Sequence, residues 1–191
     1  MDLLHSLAHF AGRLMRPLRS GEHKLAWHRL DVAALPPIEL SSPAFAADAT
    51  IPDAYAGDSG RSPPLQWGHV PAKAKELVLL CEDPDAPLPQ PFVHWIAFGM
   101  APDLRELPEG LPPSATPLTS GVHQGRNTMR KDGYAGPAPP PGHGVHHYHF
   151  QLFALDSRLD ATAPVTRARL IEAMKGHIIG FGELVGIYEK Q

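Results

Sequence analysis

The chain has 191 residues, a formal net charge of −3, 43% hydrophobic and 19% charged residues, one cysteine and 22 prolines. That balance excludes a disordered polyelectrolyte and offers no basic stripe for nucleic acid, while the single Cys81 excludes an intrachain disulfide and a cysteine-rich zinc site. Proline at about twice its usual frequency excludes a mostly helical chain, and no stretch approaches the ~20 apolar residues of a membrane span.

The first predicted element is an amphipathic helix over Asp2 to Leu18. At 100° per residue, Leu3, Leu4, Leu7, Ala8, Phe10, Ala11, Leu14, Met15 and Leu18 fall in one arc about 160° wide. The opposite arc takes Asp2, His5, Ser6, His9, Gly12, Arg13, Arg16, Pro17 and Arg19. Polar residues recur too often for the unbroken apolar run of a signal peptide. An apolar stripe of this kind docks on its own domain or on a second subunit. The competing expectation is weak contact with a membrane surface, through the arginines.

From Leu30 to Gln66, six prolines cut the apolar pieces too short for helices, which leaves short strands and turns. Glu76 to Cys81 reads as a buried strand that ends at the turn Asp83-Pro84-Asp85, and Phe92 to Phe98 as a second strand. Residues 102–142 carry nine prolines and are expected to form a long surface excursion. His147 to Leu155 is the longest strand candidate, with Tyr148, Phe150, Leu152 and Ala154 on one face. Thr166 to Lys175 reads as a short helix capped by Thr166 and ended by Gly176, and Glu183 to Tyr188 as a closing strand. The sum is an all-β sandwich or barrel with helical additions.

Four clusters could carry chemistry: Asp83 with Asp85, His94 with Trp95, the glycine–proline run 133–142, and His143 with His146, His147, Tyr148 and His149. Each has a plain structural reading. The aspartates can cap a turn, and a mid-strand histidine is more often a satisfied core residue than a ligand. The histidine group suggests a metal at first, but on a strand His147 and His149 face away from Tyr148 and no helical zinc motif is present. No metal and no cofactor is expected.

Together the pieces resemble a known family. Ser62-Pro63-Pro64-Leu65-Gln66-Trp67, Asp83-Pro84-Asp85-Ala86-Pro87 and Phe92-Val93-His94-Trp95 match its pattern. So do Gly133-Tyr134-x-Gly136-Pro137-x-Pro139-Pro140-x-Gly142, His146-x-Tyr148-x-Phe150 and Ala154-Leu155-Asp156. In this order and spacing they are similar to the phosphatidylethanolamine-binding protein family, most of all its bacterial and archaeal branch of Raf kinase inhibitor-like proteins. The likeness runs from about residue 38 onward and leaves out the amino-terminal helix. Residues 1–29 are therefore read as helix and linker, and 30–191 as the domain.

The resemblance implies a two-sheet Greek-key β-sandwich with a small anion-binding pocket at one end. Carried over by position, Asp83, Asp85, His94, Pro139, Pro140, His146 and Tyr148 are the expected ligand-binding residues. Two imidazoles and a phenol would offer donors to a phosphate, and Asp83 could orient a histidine or receive an ammonium group. Two positions depart from the family. Ala138 stands where cysteine is common, and His147 where arginine is common. The implied function is non-enzymatic binding of a small anion or a phospholipid headgroup such as phosphoethanolamine. The alternatives are an inhibitor that docks on a protease or kinase, and a hydrolase with an Asp83–His146 acid–base pair. A cytoplasmic location and a homodimer complete the expectation.

Overall fold

A computed structural model describes residues 3–57, 60–114, 121–160 and 165–190. Helix α1 (Leu3–Met15) leads into α2 (Ala26–Leu30); strands β1 (Leu40–Ser41), β2 (Leu65–Trp67), β3 (Glu76–Asp83), β4 (Phe92–Met100), β5 (Glu106–Leu107), β6 (His123–Gln124) and β7 (His146–Leu155) follow. Helix α3 (Arg167–Met174) and strand β8 (Ile178–Tyr188) complete the order. The strands form two antiparallel sheets, a small one in the order β1-β2-β5 and a large one in the order β6-β4-β3-β7-β8.

The large sheet is buried on both faces, which explains why β3 is apolar from Leu77 to Cys81 instead of alternating. One face, with Leu77, Leu79, Cys81, Trp95, Phe150 and Leu152, packs against Leu65, Trp67 and Leu107 of the small sheet. The other, with Val78, Leu80, Ile96, Phe153 and Leu155, packs under Ala26 of α2 and Leu170, Ile171 and Met174 of α3. The side-chain division along β7 is the one read from the two-residue period.

Several boundaries differ from the sequence reading. Strand β8 starts at Ile178, five residues before the expected Glu183, because its glycines are not turn signals. Segment 36–38 crosses the strand so closely that a Cβ at Gly182 would overlap the Ile38 carbonyl oxygen. Thr166 is the residue before α3, but its side chain makes no capping hydrogen bond. The 102–142 stretch is not merely superficial. Leu107, Val122 and Gln124 are buried, β5 joins the small sheet, and β6 joins the large one. Residues 115–120 of that stretch lie outside the described residues.

The largest difference concerns α1. Its amphipathic arcs are as expected, yet it is the polar arc that docks on the protein. Gly12 is buried against the loop before β7, where a Cβ would overlap the Pro141 carbonyl oxygen. Arg16 Nε donates to the Gly142 carbonyl at 2.8 Å. Leu7, Phe10, Leu14 and Leu18 are left 56–72% exposed. The physical reason is that only the polar arc carries a residue without a side chain, which admits a backbone-to-backbone approach. Two of the three arginines that suggested a membrane surface are turned inward, Arg16 to Gly142 and Arg19 to Asp85 and the Val145 carbonyl.

Beyond α1, the chain is tied to the end of β3. Ser20 Oγ donates to the Pro84 carbonyl at 2.9 Å, and the backbone amides of Ser20 and Gly21 donate to Ala86 and Pro84. Further on, the Glu82 carboxylate accepts the Ala26 amide at 2.8 Å, the Gln151 side chain at 2.8 Å, and Arg167 Nε. Among the described residues, no helix is long and apolar enough to cross a membrane.

Candidate functional site

Strands β3, β4 and β7 are neighbours in the large sheet, so Asp83, His94, His146 and Tyr148 are brought to one place despite their separation in sequence. They line a cavity of about 400 Å³, closed on one side by Pro139 and Pro140 and bordered by Phe92, Leu88 and Met129. Of the seven candidate residues, six line this cavity and Asp85 does not.

Asp85 is spent beside it. Its carboxylate accepts the amide and ring nitrogen of His147, each at 2.7 Å, and pairs with Arg19. Burial opposes its charge, but the bonds from His147 and Arg19 outweigh burial and hold the carboxyl below its usual range. His147 thus fastens the turn.

Asp83 organises the turn rather than facing an open ligand. Its Oδ1 accepts the Asp85 amide at 2.7 Å and the Ala86 amide at 3.2 Å, and its Oδ2 receives His146 Nδ1 at 2.7 Å. The other nitrogen of His146 lies 2.7 Å from His143 Nδ1, and His143 Nε2 donates to the Met15 carbonyl of α1 at 3.0 Å. Both ring nitrogens of His146 are therefore bonded within the protein. The expectation that this imidazole donates to a ligand is not met by the geometry.

The groups left for a ligand are different. The Tyr148 hydroxyl is buried, lines the cavity and has no hydrogen-bond partner among the described residues. Burial, reinforced by the Asp83 charge, pushes its pKa far up, so the phenol keeps its proton and can donate at any ordinary pH. His94 stacks between Phe92, at 4.6 Å, and the edge of Tyr148, at 4.9 Å. Its Nδ1 donates to the Ala135 carbonyl at 2.6 Å, and Nε2 has no partner among the described residues. Burial lowers the His94 pKa, against the raising effect of Asp83, so the ring is neutral near pH 7 and Nε2 presents a lone pair.

Sequence reasoning missed Lys131, which lines the cavity and whose ammonium group has no partner among the described residues. Its loop is well fixed: Asn127 Oδ1 accepts the Lys131 amide at 3.2 Å, Asn127 Nδ2 donates to the Gly133 carbonyl at 3.0 Å, and Arg126 pairs with Asp132 at 3.2 Å. The available signal was only its place two residues before Gly133; the chain reversal that aims it inward is set by tertiary contacts. His143 was also singled out only as a member of the histidine group. Among the described residues, no three His, Cys, Asp or Glu side chains are grouped to hold a metal ion.

Comparison with known proteins follows the same lines. The family model described as phosphatidylethanolamine-binding protein matches residues 41–189. A UPF0098 protein of Pyrococcus abyssi is 46% identical over 157 residues, 81% of this chain and 86% of that one. The crystal structure of a phosphatidylethanolamine-binding protein homologue from Chlamydia trachomatis has a TM-score of 0.72 at 39% identity, covering 81% of this chain and 99% of that one. The E. coli protein YbcL, solved as a member of the mammalian PEBP family, has a TM-score of 0.75 at 25% identity, with 81% of this chain and 99% of that one covered.

Proposed function

The chain belongs to the phosphatidylethanolamine-binding protein family, and from that premise and its pocket we propose that it binds, without catalysis, the phosphoryl group of a small anion or a phospholipid headgroup. The observation that carries this reading is the Tyr148 hydroxyl, a buried donor without a partner among the described residues, in the cavity that Lys131 and His94 also line. A buried donor left unpaired costs about 1–3 kcal/mol, and a phosphoryl oxygen would recover that cost. Lys131 supplies fixed positive charge at the rim. The non-catalytic reading is supported by His146, whose two nitrogens are both engaged, so an Asp83–His146 pair has no free position with which to move a substrate proton.

The pH dependence has a definite sign. Neutral His94 turns a lone pair, not a proton, on its unbonded side, so an anion binds there only if a proton comes with it. The proton arrives either on the imidazole or as the P–OH of a monoanion. Affinity for inorganic phosphate is therefore expected to rise as pH falls from 8 to 6, by up to about tenfold per unit where one proton is taken up. Calorimetric titration of the full chain with inorganic phosphate, phosphoethanolamine and phosphatidylethanolamine vesicles tests the reading and separates its sources. Binding of the two soluble probes points to the free anion; binding only to vesicles points to the lipid. No binding in any arm, or phosphate release from a phosphomonoester, overturns it. Lys131→Gln is expected to weaken phosphate two- to fivefold, about the 0.2–1 kcal/mol of an exposed ion pair, and to flatten the salt dependence. Unchanged affinity would remove Lys131 from the site.

A further inference from the structure

The hydrogen-bonded chain from Met15 through His143 and His146 to Asp83 joins the amino-terminal helix to the pocket, and its protons can be counted. A carbonyl only accepts, so His143 carries a proton on Nε2, 3.0 Å from Met15. His143 is fully buried, and burial lowers its pKa, aided by His146 and Arg19, by more than its backbone bonds to Met15 and Leu18 raise it. It is accordingly neutral, and its Nδ1 is a lone pair. His146 Nε2, 2.7 Å from that lone pair, must then carry the second proton. His146 Nδ1 lies 2.7 Å from Asp83 Oδ2, and a contact of that length between two polar atoms also needs a proton. Three bonds hold three protons. Two neutral imidazoles and one carboxylate own only two, so a third is shared between His146 and Asp83, and the group has no net charge.

Removing the Met15 carbonyl changes the count. His143 is then free to adopt the opposite tautomer, with Nδ1–H donating to His146 Nε2 and His146 Nδ1–H donating to Asp83. Both remaining bonds are satisfied with two protons, and the group carries a charge of −1. We infer that seating of α1 loads one proton into the floor of the pocket, so that helix docking and anion binding reinforce one another, with His143 as the positioning residue between them.

The surrounding charges do not disturb the count. Arg19 is balanced by Asp85, which also holds His147; Arg16 bonds the Gly142 carbonyl; His9 packs on Gly142; and the phenol of Tyr148 keeps its proton. His94, with its pKa lowered by burial, is neutral. The affinity half of the inference rests on the phosphoryl-binding reading, whereas the tautomer half stands without it.

The experiment uses the full chain and three variants. Gly12→Ala improves intrinsic helix propensity yet removes the space that lets α1 seat. His143→Gln can donate to Met15 with its amide nitrogen and accept from His146 with its oxygen, which fixes the seated arrangement. His143→Leu can do neither. In ligand-free protein, imidazole nitrogen NMR is expected to find His146 Nε2 protonated in wild type and His143→Gln, and bare in Gly12→Ala. Inorganic phosphate is expected to bind wild type and His143→Gln alike, and Gly12→Ala and His143→Leu about tenfold more weakly. A bare His146 Nε2 in wild type overturns the inference. So does equal phosphate affinity with equal pH profiles in His143→Leu and His143→Gln. If wild type binds no phosphate, the phosphoryl reading falls, and the NMR comparison alone decides the linkage.

Discussion

Glu82→Ala is expected to lower the unfolding free energy by about 3–5 kcal/mol, read as a shift of the urea midpoint at unchanged slope. The carboxylate is fully buried between the large sheet and the helical layer, where it accepts from Arg167, the Ala26 amide and the Gln151 side chain. Removing it strands a guanidinium that is itself only 12% exposed, and leaves the Ala26 amide without an acceptor. Arg167 also donates to the Lys24 carbonyl, so the loss spreads to the segment that connects α1 with α2. The double variant Glu82→Leu with Arg167→Leu is expected to cost less than Glu82→Ala alone, because no buried charge is left uncompensated. A loss under about 1 kcal/mol in the single variant would show that water reaches the guanidinium, and that the pair is not a structural tie.

Tyr148→Phe should move stability and binding in opposite directions. In the ligand-free protein the hydroxyl is buried without a partner among the described residues, so deleting it removes a desolvation penalty and leaves the ring's packing against His94 intact. Stability is expected to stay level or to rise by about 1 kcal/mol. Phosphate binding loses a hydrogen bond to a charged group, about 1.5–3 kcal/mol, which is about 10–100-fold in affinity. Thermal melts with and without inorganic phosphate measure both quantities on one sample. Unchanged phosphate affinity would mean that the phenol does not touch the anion. A large loss of stability would mean that it has a protein partner in solution.

Much of the fold was legible, element by element. Strands β3 and β4 were found because each holds a run of apolar residues near Pro, Gly or Asp, and β7 because Tyr148, Phe150, Leu152 and Ala154 recur at every second position; burial enforces such patterns locally. The first five residues of β8 were not read as strand, because its glycines serve the close crossing of segment 36–38, a contact between residues some 140 positions apart that no local window contains. The β5 and β6 pairings were hidden for a similar reason: two-residue strands carry no period.

At the site, residue types were legible and roles were not. Six candidates line one cavity: Asp83, His94, His146 and Tyr148 because they lie toward the ends of adjacent strands, and Pro139 and Pro140 from the loop before β7. Which of their atoms remain free was decided by partners brought from elsewhere. His143, itself held by the Met15 carbonyl, occupies one nitrogen of His146, the backbone of Ala135 occupies one side of His94, and a turn fixed by Asn127 delivers Lys131.

By itself, the sequence determined a β protein with short helices and the amphipathic arcs of α1. Both follow from composition and from periods of 2 and 3.6 residues, which act over a few neighbours. The pocket residues were named as such only through motifs that resemble a family. Only the tertiary structure decided which arc of α1 is buried, that its carbonyl end reaches the pocket, and which polar atoms are left unpaired. Hydrogen-bond satisfaction is counted over the whole folded surface, and a donor's partner can come from any part of the chain.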